Sequence, residues 1–283
     1  MALADRFLLM GVMGWPVMHS RSPLMHNYWL EQQGLRGAYV PLAIEPGNLE
    51  GALRGMHPLA FAGCNITIPH KLEAMEIVDE VSEVAKKIGA ISCVGVREDG
   101  SLFGTNNDWF GFINNLKQEQ PDWRADAGPI AVIGAGGGGR AVVYGLLEEG
   151  AKEIRLVNRT RAKAEAIARE YGGPIEVLPW EERHDALDGV ATAVNVTNQG
   201  MGGQPPLDLS LDKLPGDALA ADIIYTPLET PFLADARARG NATVNGVGML
   251  IHQGPAAWKL WFDIVPEVTD ELRALIERSI EGD

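Results

Sequence analysis

Cysteine is nearly absent from the 283 residues: only Cys64 and Cys93 occur. Two thiols make neither a disulfide framework nor a zinc site, so no metal is expected. Both read as small buried hydrophobes of a reducing compartment. Basic charge is also short, with 24 Lys and Arg against 38 Asp and Glu and a formal net charge of −14. Nucleic acid and anionic membranes need basic patches, so neither is expected as a partner. An anionic ligand must then be held by local groups, because the overall field repels it. Long apolar runs are missing too. The stretch FLLMGVMGWPVM follows Asp5, is broken by Gly11, Gly14 and Pro16, and has no small-residue cleavage site after it. No segment reaches the ~20 apolar residues of a bilayer span. The stretch is expected to be a buried parallel strand of a cytoplasmic protein.

What is present is a 46% hydrophobic chain with charges mixed throughout, enough for a substantial core and about two domains. Strand-like and helix-like patterns alternate, the mark of an α/β fold with mostly parallel sheets. Leu8–Trp15, Ala38–Ile44, Gly63–Ile68 and Ile91–Val96 read as strands, and Pro23–Gln33 as a helix. In FAGCNITIPHK the strand from Phe61 is closed by Pro69, which cannot donate to a ladder. Lys71 follows, ahead of a helix-like run through Leu72, Met75, Ile77 and Val78. Taken alone, Lys71 reads first as a solvated helix start, with a functional ammonium as the alternative. The polar stretch KQEQPDWRADAGP reads as the domain junction.

Beyond it, a strand (Ile130–Ile133), a glycine-rich turn and a helix (Arg140–Glu148) precede a second strand. Gly134, Gly136 and Gly139 form G-x-G-x-x-G where a dinucleotide-binding βαβ unit needs it. The first glycine permits the turn, the second lets pyrophosphate approach, and the third lets helix and strand pack. The helix N-terminus offers unpaired N–H groups to the phosphates. After the second strand an NAD site usually carries a carboxylate; here the chain reads Val157, Asn158, Arg159, Thr160, Arg161, Ala162, Lys163. Arg159 suits a 2′-phosphate, gripped in a planar fork. Arg161 and Lys163 serve equally as phosphate contacts or as a solvated helix face. NADP is the expected cofactor, on a Rossmann-type domain.

Hydride transfer to a ketone also needs a proton donor near the carbonyl. Lys71 is one candidate. Asp108, in GTNNDWFGF after the strand-like SLF, is expected at a strand end facing an inter-domain cleft, where a carboxylate could orient an ammonium.

The sequence resembles the shikimate dehydrogenase family over nearly its whole length. The motifs are His19-Ser20-Arg21-Ser22-Pro23, Asn65-Ile66-Thr67-Ile68-Pro69-x-Lys71, Asn106-x-Asp108, Gly134-Ala135-Gly136-Gly137 and Asn158-Arg159-Thr160. Two more are Tyr225-x-Pro227-x-x-Thr230-Pro231-Phe232-Leu233 and Asn245-Gly246-x-Gly248-Met249-Leu250-x-x-Gln253. The resemblance implies reversible, NADP-linked reduction of 3-dehydroshikimate to shikimate, a step of aromatic amino-acid biosynthesis. Lys71 and Asp108 would be the catalytic pair. Ser20 and Ser22, assisted by Tyr225, would hold the substrate carboxylate, and Asn65, Thr67, Ser92 and Gln253 the ring hydroxyls. Gly134, Ala135, Gly136, Gly137, Gly139, Asn158, Arg159, Thr160, Lys163, Ile223, Gly246 and Met249 would line the cofactor.

The implied architecture is a substrate domain over residues 1–112, an NADP domain over 113–245, and helices over 246–283 returning to the first. A cleft between them would hold both ligands. The partner is a small-molecule substrate; a homodimer is held open.

Some positions depart from the family pattern. Gly89-Ala90-Ile91-Ser92-Cys93 stands for Gly-Ala-x-Asn-Thr, Asn107 for a threonine, Trp109 for a small residue, and Asn198-Gln199 for small residues. Quinate or a related ring acid is therefore an alternative substrate, and a non-catalytic NADP sensor a further one. Among the remaining residues, His19 reads as a local hydrogen-bonding group, His70 as exposed, and Met10, Met13 and Met18 as core or packing.

Overall fold

The run from Leu8 forms β1 (Leu8–Gly14), buried along almost its whole length, as a strand covered on both faces should be. It belongs to a computed structural model that describes residues 3–282. The chain divides into two units: the first ends at Asn107 and takes back Ile251–Ile276, and the second is Asp108–Leu250 with the residues from Glu277.

In the first unit β1 is followed by α1 (Ser22–Gln32), β2 (Gly37–Ala43), α2 (Leu49–Gly55), β3 (Phe61–Ile66) and α3 (Ala74–Ile77). Then come β4 (Glu80–Val81), α4 (Glu83–Ile88), β5 (Cys93–Val96) and β6 (Leu102–Thr105). The sheet order is β2-β1-β3-β5-β6-β4. β5 runs antiparallel to both its neighbours, and the other pairings are parallel. The C-terminal ends of β1, β3 and β6 and the start of β5 thus share one edge of the sheet. One side is packed by Met13, Leu49, Leu53, Cys64, Ile66 and Ile91 among others.

β3 stops at Ile66, short of the expected Ile68, because the chain turns back: the N–H of His70 donates to the carbonyl of Thr67. The helix-like run after Lys71 shrinks to the single turn of α3. His70, expected exposed, is fully buried, with Nε2 2.8 Å from the Ile44 carbonyl. Met18 is the reverse case, 69% exposed, whereas Met10 and Met13 are core.

The second unit begins with α5 (Asp108–Glu119), then β7 (Ile130–Ile133), α6 (Gly137–Glu148), β8 (Ile154–Val157), α7 (Arg161–Tyr171) and β9 (Ile175–Leu178). It continues with β10 (Thr192–Asn195), β11 (Leu219–Asp222), α8 (Pro231–Ala238), β12 (Thr243–Val244) and α9 (Val247–His252). All pairings are parallel, in the order β9-β8-β7-β10-β11-β12. Counted from β7, that is 3-2-1-4-5-6, the dinucleotide-binding order, with its switch point between β7 and β10.

Asp108 is not at a strand end: β6 closes at Thr105, and Asp108 opens α5. The units accordingly part at Asn107, ahead of the expected 112. The stretch from Lys117, read as a junction, starts in the last turn of α5. That helix buries Phe112, Ile113 and Leu116 and packs on α6, where Gly145 lets Ile113 approach closely.

The chain then returns to the first unit with α10 (Gly254–Phe262) and enters α11 (Asp270–Glu281). Trp258 on α10 is fully buried and its indole N–H donates to Nδ1 of His26 at 2.8 Å. Trp29 fits against Gly254, where a Cβ would collide with its ring. Burial holds His26 neutral, its pKa pushed down to about 3. Among the described residues no helix is long and apolar enough to cross a membrane.

Candidate active site

At the shared sheet edge of the first unit, the loop after β1 carries Ser20, and Ser22 opens α1. Ser20 Oγ accepts the N–H of Ser22 at 3.2 Å, a serine turn that leads into α1, and Ser22 is buried. Thr67 follows β3: its N–H donates to the Met13 carbonyl, and its methyl fills the space over Gly14.

Asn65, at the end of β3, is buried and held on two sides. Tyr39 Oη donates to its Oδ1 at 2.8 Å, and its Nδ2 donates to the Ser92 carbonyl at 3.3 Å. Tyr39 is itself stacked on His26, ring centroids 4.1 Å apart and planes 5° from parallel. Lys71 is half-buried, and its carbonyl accepts the N–H of Ile91 at 2.8 Å, which ties it to the residue before Ser92. Ser92, expected to face the ring, has its hydroxyl against the backbone: Oγ accepts the N–H of Asn107 at 2.8 Å. Asn106 donates from Nδ2 to the Ala90 carbonyl at 2.9 Å. Gln253 sits half-buried at the N-cap of α10 and makes no capping bond.

The second unit has its own constellation. Gly134 follows β7 at φ +122°, and a Cβ there would lie 2.9 Å from Val196 Cγ2. A Cβ on Gly139 would lie 2.7 Å from the Gly134 carbonyl oxygen, so this glycine lets α6 close on the turn. Gly136 is exposed, with nothing within 4 Å of its missing Cβ, directly at the N-cap of α6. That open backbone at a helix N-terminus is the feature a pyrophosphate requires, and it carries the fit of a dinucleotide here. Asn158 joins the turn to the next strand: its Oδ1 accepts from Ala135 N at 3.1 Å and its Nδ2 donates to the Thr160 carbonyl at 2.7 Å. Beyond it Arg159 and Lys163 are exposed with no ion pair among the described residues, whereas Arg161 is bound to Glu165 at 2.7 Å. Thr160 stands at the N-cap of α7 with its hydroxyl uncommitted to capping.

Ile223 packs its Cδ1 on Gly138, and Gly246 lies so close to the Ile223 carbonyl that no Cβ fits. Met249 is buried nearby in the same core. Tyr225 is half-buried in the loop after β11. Trp109 is half-buried, edge-on to Tyr144 at 5.5 Å.

One group escaped sequence reasoning. Asp222, at the end of β11, is 2% exposed and accepts from Ile224 N at 2.9 Å, Asn195 Nδ2 at 3.1 Å and Thr230 Oγ1 at 2.8 Å. Burial outweighs these donors and raises its pKa to about 6. Strands ending in a polar residue after an apolar run, Ala-Ala-Asp and Ala-Val-Asn, were the available signal.

A parallel sheet in this order, with a glycine turn and a basic, carboxylate-free segment after its second strand, defines a dinucleotide-binding α/β protein. Residues 12–94 match the shikimate dehydrogenase substrate binding domain, and residues 117–199 match the shikimate / quinate 5-dehydrogenase family. The shikimate dehydrogenase (NADP(+)) of Paramagnetospirillum magneticum is 50% identical over 274 residues, covering 97% of this chain and 99% of that protein. The Thermus thermophilus shikimate 5-dehydrogenase, solved with NADP(H) and shikimate, superposes with a TM-score of 0.84 at 35% identity, over 98% of this chain and 99% of that one. A quinate dehydrogenase from Corynebacterium glutamicum, solved with NAD, gives 0.86 at 29% identity, over 95% and 98%. The chain belongs to the shikimate dehydrogenase family.

Proposed function

We propose that the protein reduces 3-dehydroshikimate to shikimate reversibly with NADPH, and that Lys71 and Asp108 are the acid–base pair. The observation that carries the reading is the set of polar groups gathered on one edge of the first sheet. There Lys71 is tied through Ile91 to Ser92, and Ser92 to Asn107, the residue directly before Asp108. Bound NADPH supplies the hydride. Lys71 delivers a proton to the ring oxygen at C3, and Asp108 orients the ammonium and accepts from a ring hydroxyl. Ser20 and Ser22 hold the carboxylate with help from Tyr225. Asn65, Thr67 and Gln253 hold ring oxygens, and Ser92 braces that end. Gly134, Ala135, Gly136, Gly137 and Gly139 cradle the pyrophosphate, and Ile223, Gly246 and Met249 flank the nicotinamide. Asn158, Arg159, Thr160 and Lys163 hold the adenosine end, where Arg159 selects the 2′-phosphate.

The reading carries with it a substrate-side unit that ends at Asn107, an NADP unit from Asp108 and a returning C-terminal segment. A cytoplasmic location suits the two buried free thiols. A homodimer is the assembly to be checked by light scattering.

Steady-state reduction of NADP⁺ by shikimate, with quinate and NAD⁺ alongside, tests the proposal. Turnover with shikimate and NADP⁺ should dominate, and Lys71→Ala should lose ~10²–10⁴ in kcat while still binding NADP⁺. Faster turnover of quinate, or full activity of the variant, overturns it.

A further inference from the structure

Resting on that reading, we infer that Asn107 is a substrate-binding residue whose side-chain amide donates to a ring hydroxyl or ketone oxygen. Asn107 is 7% exposed, and its Nδ2 is buried with no hydrogen-bond partner in the protein. Buried donors without partners are rare, and each asks for a reason. The surrounding backbone is not loose: the N–H of Asn107 is tied to Ser92 Oγ, and Asn106 is tied to the Ala90 carbonyl. The backbone that carries the Asn107 side chain is therefore fixed while the side chain's own donor is left over.

A purely structural asparagine would spend that donor on the protein, and a purely space-filling position would be better served by an apolar residue of the same shape. A ligand oxygen accounts for both facts. The position fits, because Ser92, which fixes the Asn107 backbone, also receives Asn65 Nδ2 on its carbonyl. The Asn65 side chain and the Asn107 backbone thus meet at Ser92, on the edge where Lys71 is anchored. A neutral amide N–H matches a polyhydroxylated ring, whose oxygens accept hydrogen bonds without carrying charge.

The test compares wild type with Asn107→Ala and Asn107→Leu by shikimate kinetics, NADP⁺ titration and unliganded unfolding. Both variants should raise the KM for shikimate roughly tenfold, the worth of one hydrogen bond of this kind. NADP⁺ affinity should be unchanged. The unfolding midpoint of Asn107→Leu should equal or exceed that of wild type, because the donor gives the free protein nothing; this variant keeps the volume that alanine removes. An unchanged KM in both variants overturns the inference alone, as does a lowered midpoint in Asn107→Leu, which would mark a structural role. A wild type that does not oxidise shikimate overturns the functional reading instead, and the inference falls with it.

Discussion

The hydroxyl of Tyr39 fixes which way the amide of Asn65 faces. It donates to Oδ1 at 2.8 Å, and the Ser92 carbonyl receives Nδ2 at 3.3 Å. Turning the amide over would set oxygen against oxygen at Ser92, so the donor that Asn65 can offer a ligand is its second Nδ2 proton. Tyr39→Phe should leave a buried acceptor unpaired and destabilise the protein by about 1–3 kcal/mol. It should also raise the KM for shikimate several-fold, with the KM for NADP⁺ unchanged. Calorimetry and steady-state kinetics read the two effects separately, and an unchanged KM would confine Tyr39 to stability.

The two glycines at the α6 N-terminus should fail differently. A Cβ on Gly136 meets nothing, so Gly136→Ala should unfold at the wild-type temperature yet bind NADP⁺ far more weakly. A Cβ on Gly139 presses on the Gly134 carbonyl, so Gly139→Ala should lose both stability and NADP⁺ affinity. Thermal unfolding with cofactor titration separates them. Wild-type affinity in Gly136→Ala would move the pyrophosphate elsewhere.

Arg159 should decide between the two dinucleotides. A charge-assisted bond to a 2′-phosphate is worth about 1.5–3 kcal/mol, so Arg159→Ala should raise the KM for NADP⁺ roughly 10- to 100-fold and leave that for NAD⁺ nearly constant. Equal losses with both cofactors would assign the arginine a structural role.

Asp222 should make the second unit pH-sensitive. Its folded pKa of about 6 lies above the ordinary 3.8, so the protonated form is favoured by folding. The contribution is complete below pH 3.8 and is lost as pH rises through about 6, a change of about 3 kcal/mol. Asp222→Asn removes the titration. The stability of wild type relative to this variant should therefore fall between pH 4 and 7 and stay level above. A flat difference across that range, measured by urea unfolding, would show that the carboxylate ionises freely.

The glycine turn, the flanking strands and the basic segment after β8 were legible because their signals are local: a period of two, a turn chemistry, a missing carboxylate. The helix α5 was hidden, since Asn114, Asn115 and the polar residues from Lys117 mask a buried face made of Phe112, Ile113 and Leu116. The bond at Ser92 was missed and His70 was misread for a different reason. Their partners, Asn107 and Ile44, are 15 and 26 residues away, and no local pattern announces such bonds. Asp222 depends likewise on Asn195 and Thr230, 27 and 8 residues distant.

The return of the chain at Ile251 sets an order on protein synthesis. His26, Trp29 and Gly63 wait for Trp258, Gly254 and Trp261, which the ribosome makes only after Asp108–Leu250 of the second unit. Until then α1 and the Gly63 stretch of β3 lack their cover, while β7 to β12 already hold every strand of their own sheet. The nascent chain should therefore acquire its nucleotide-binding half first. The half made earliest should finish last, and that is where a chaperone would find exposed aromatic surface.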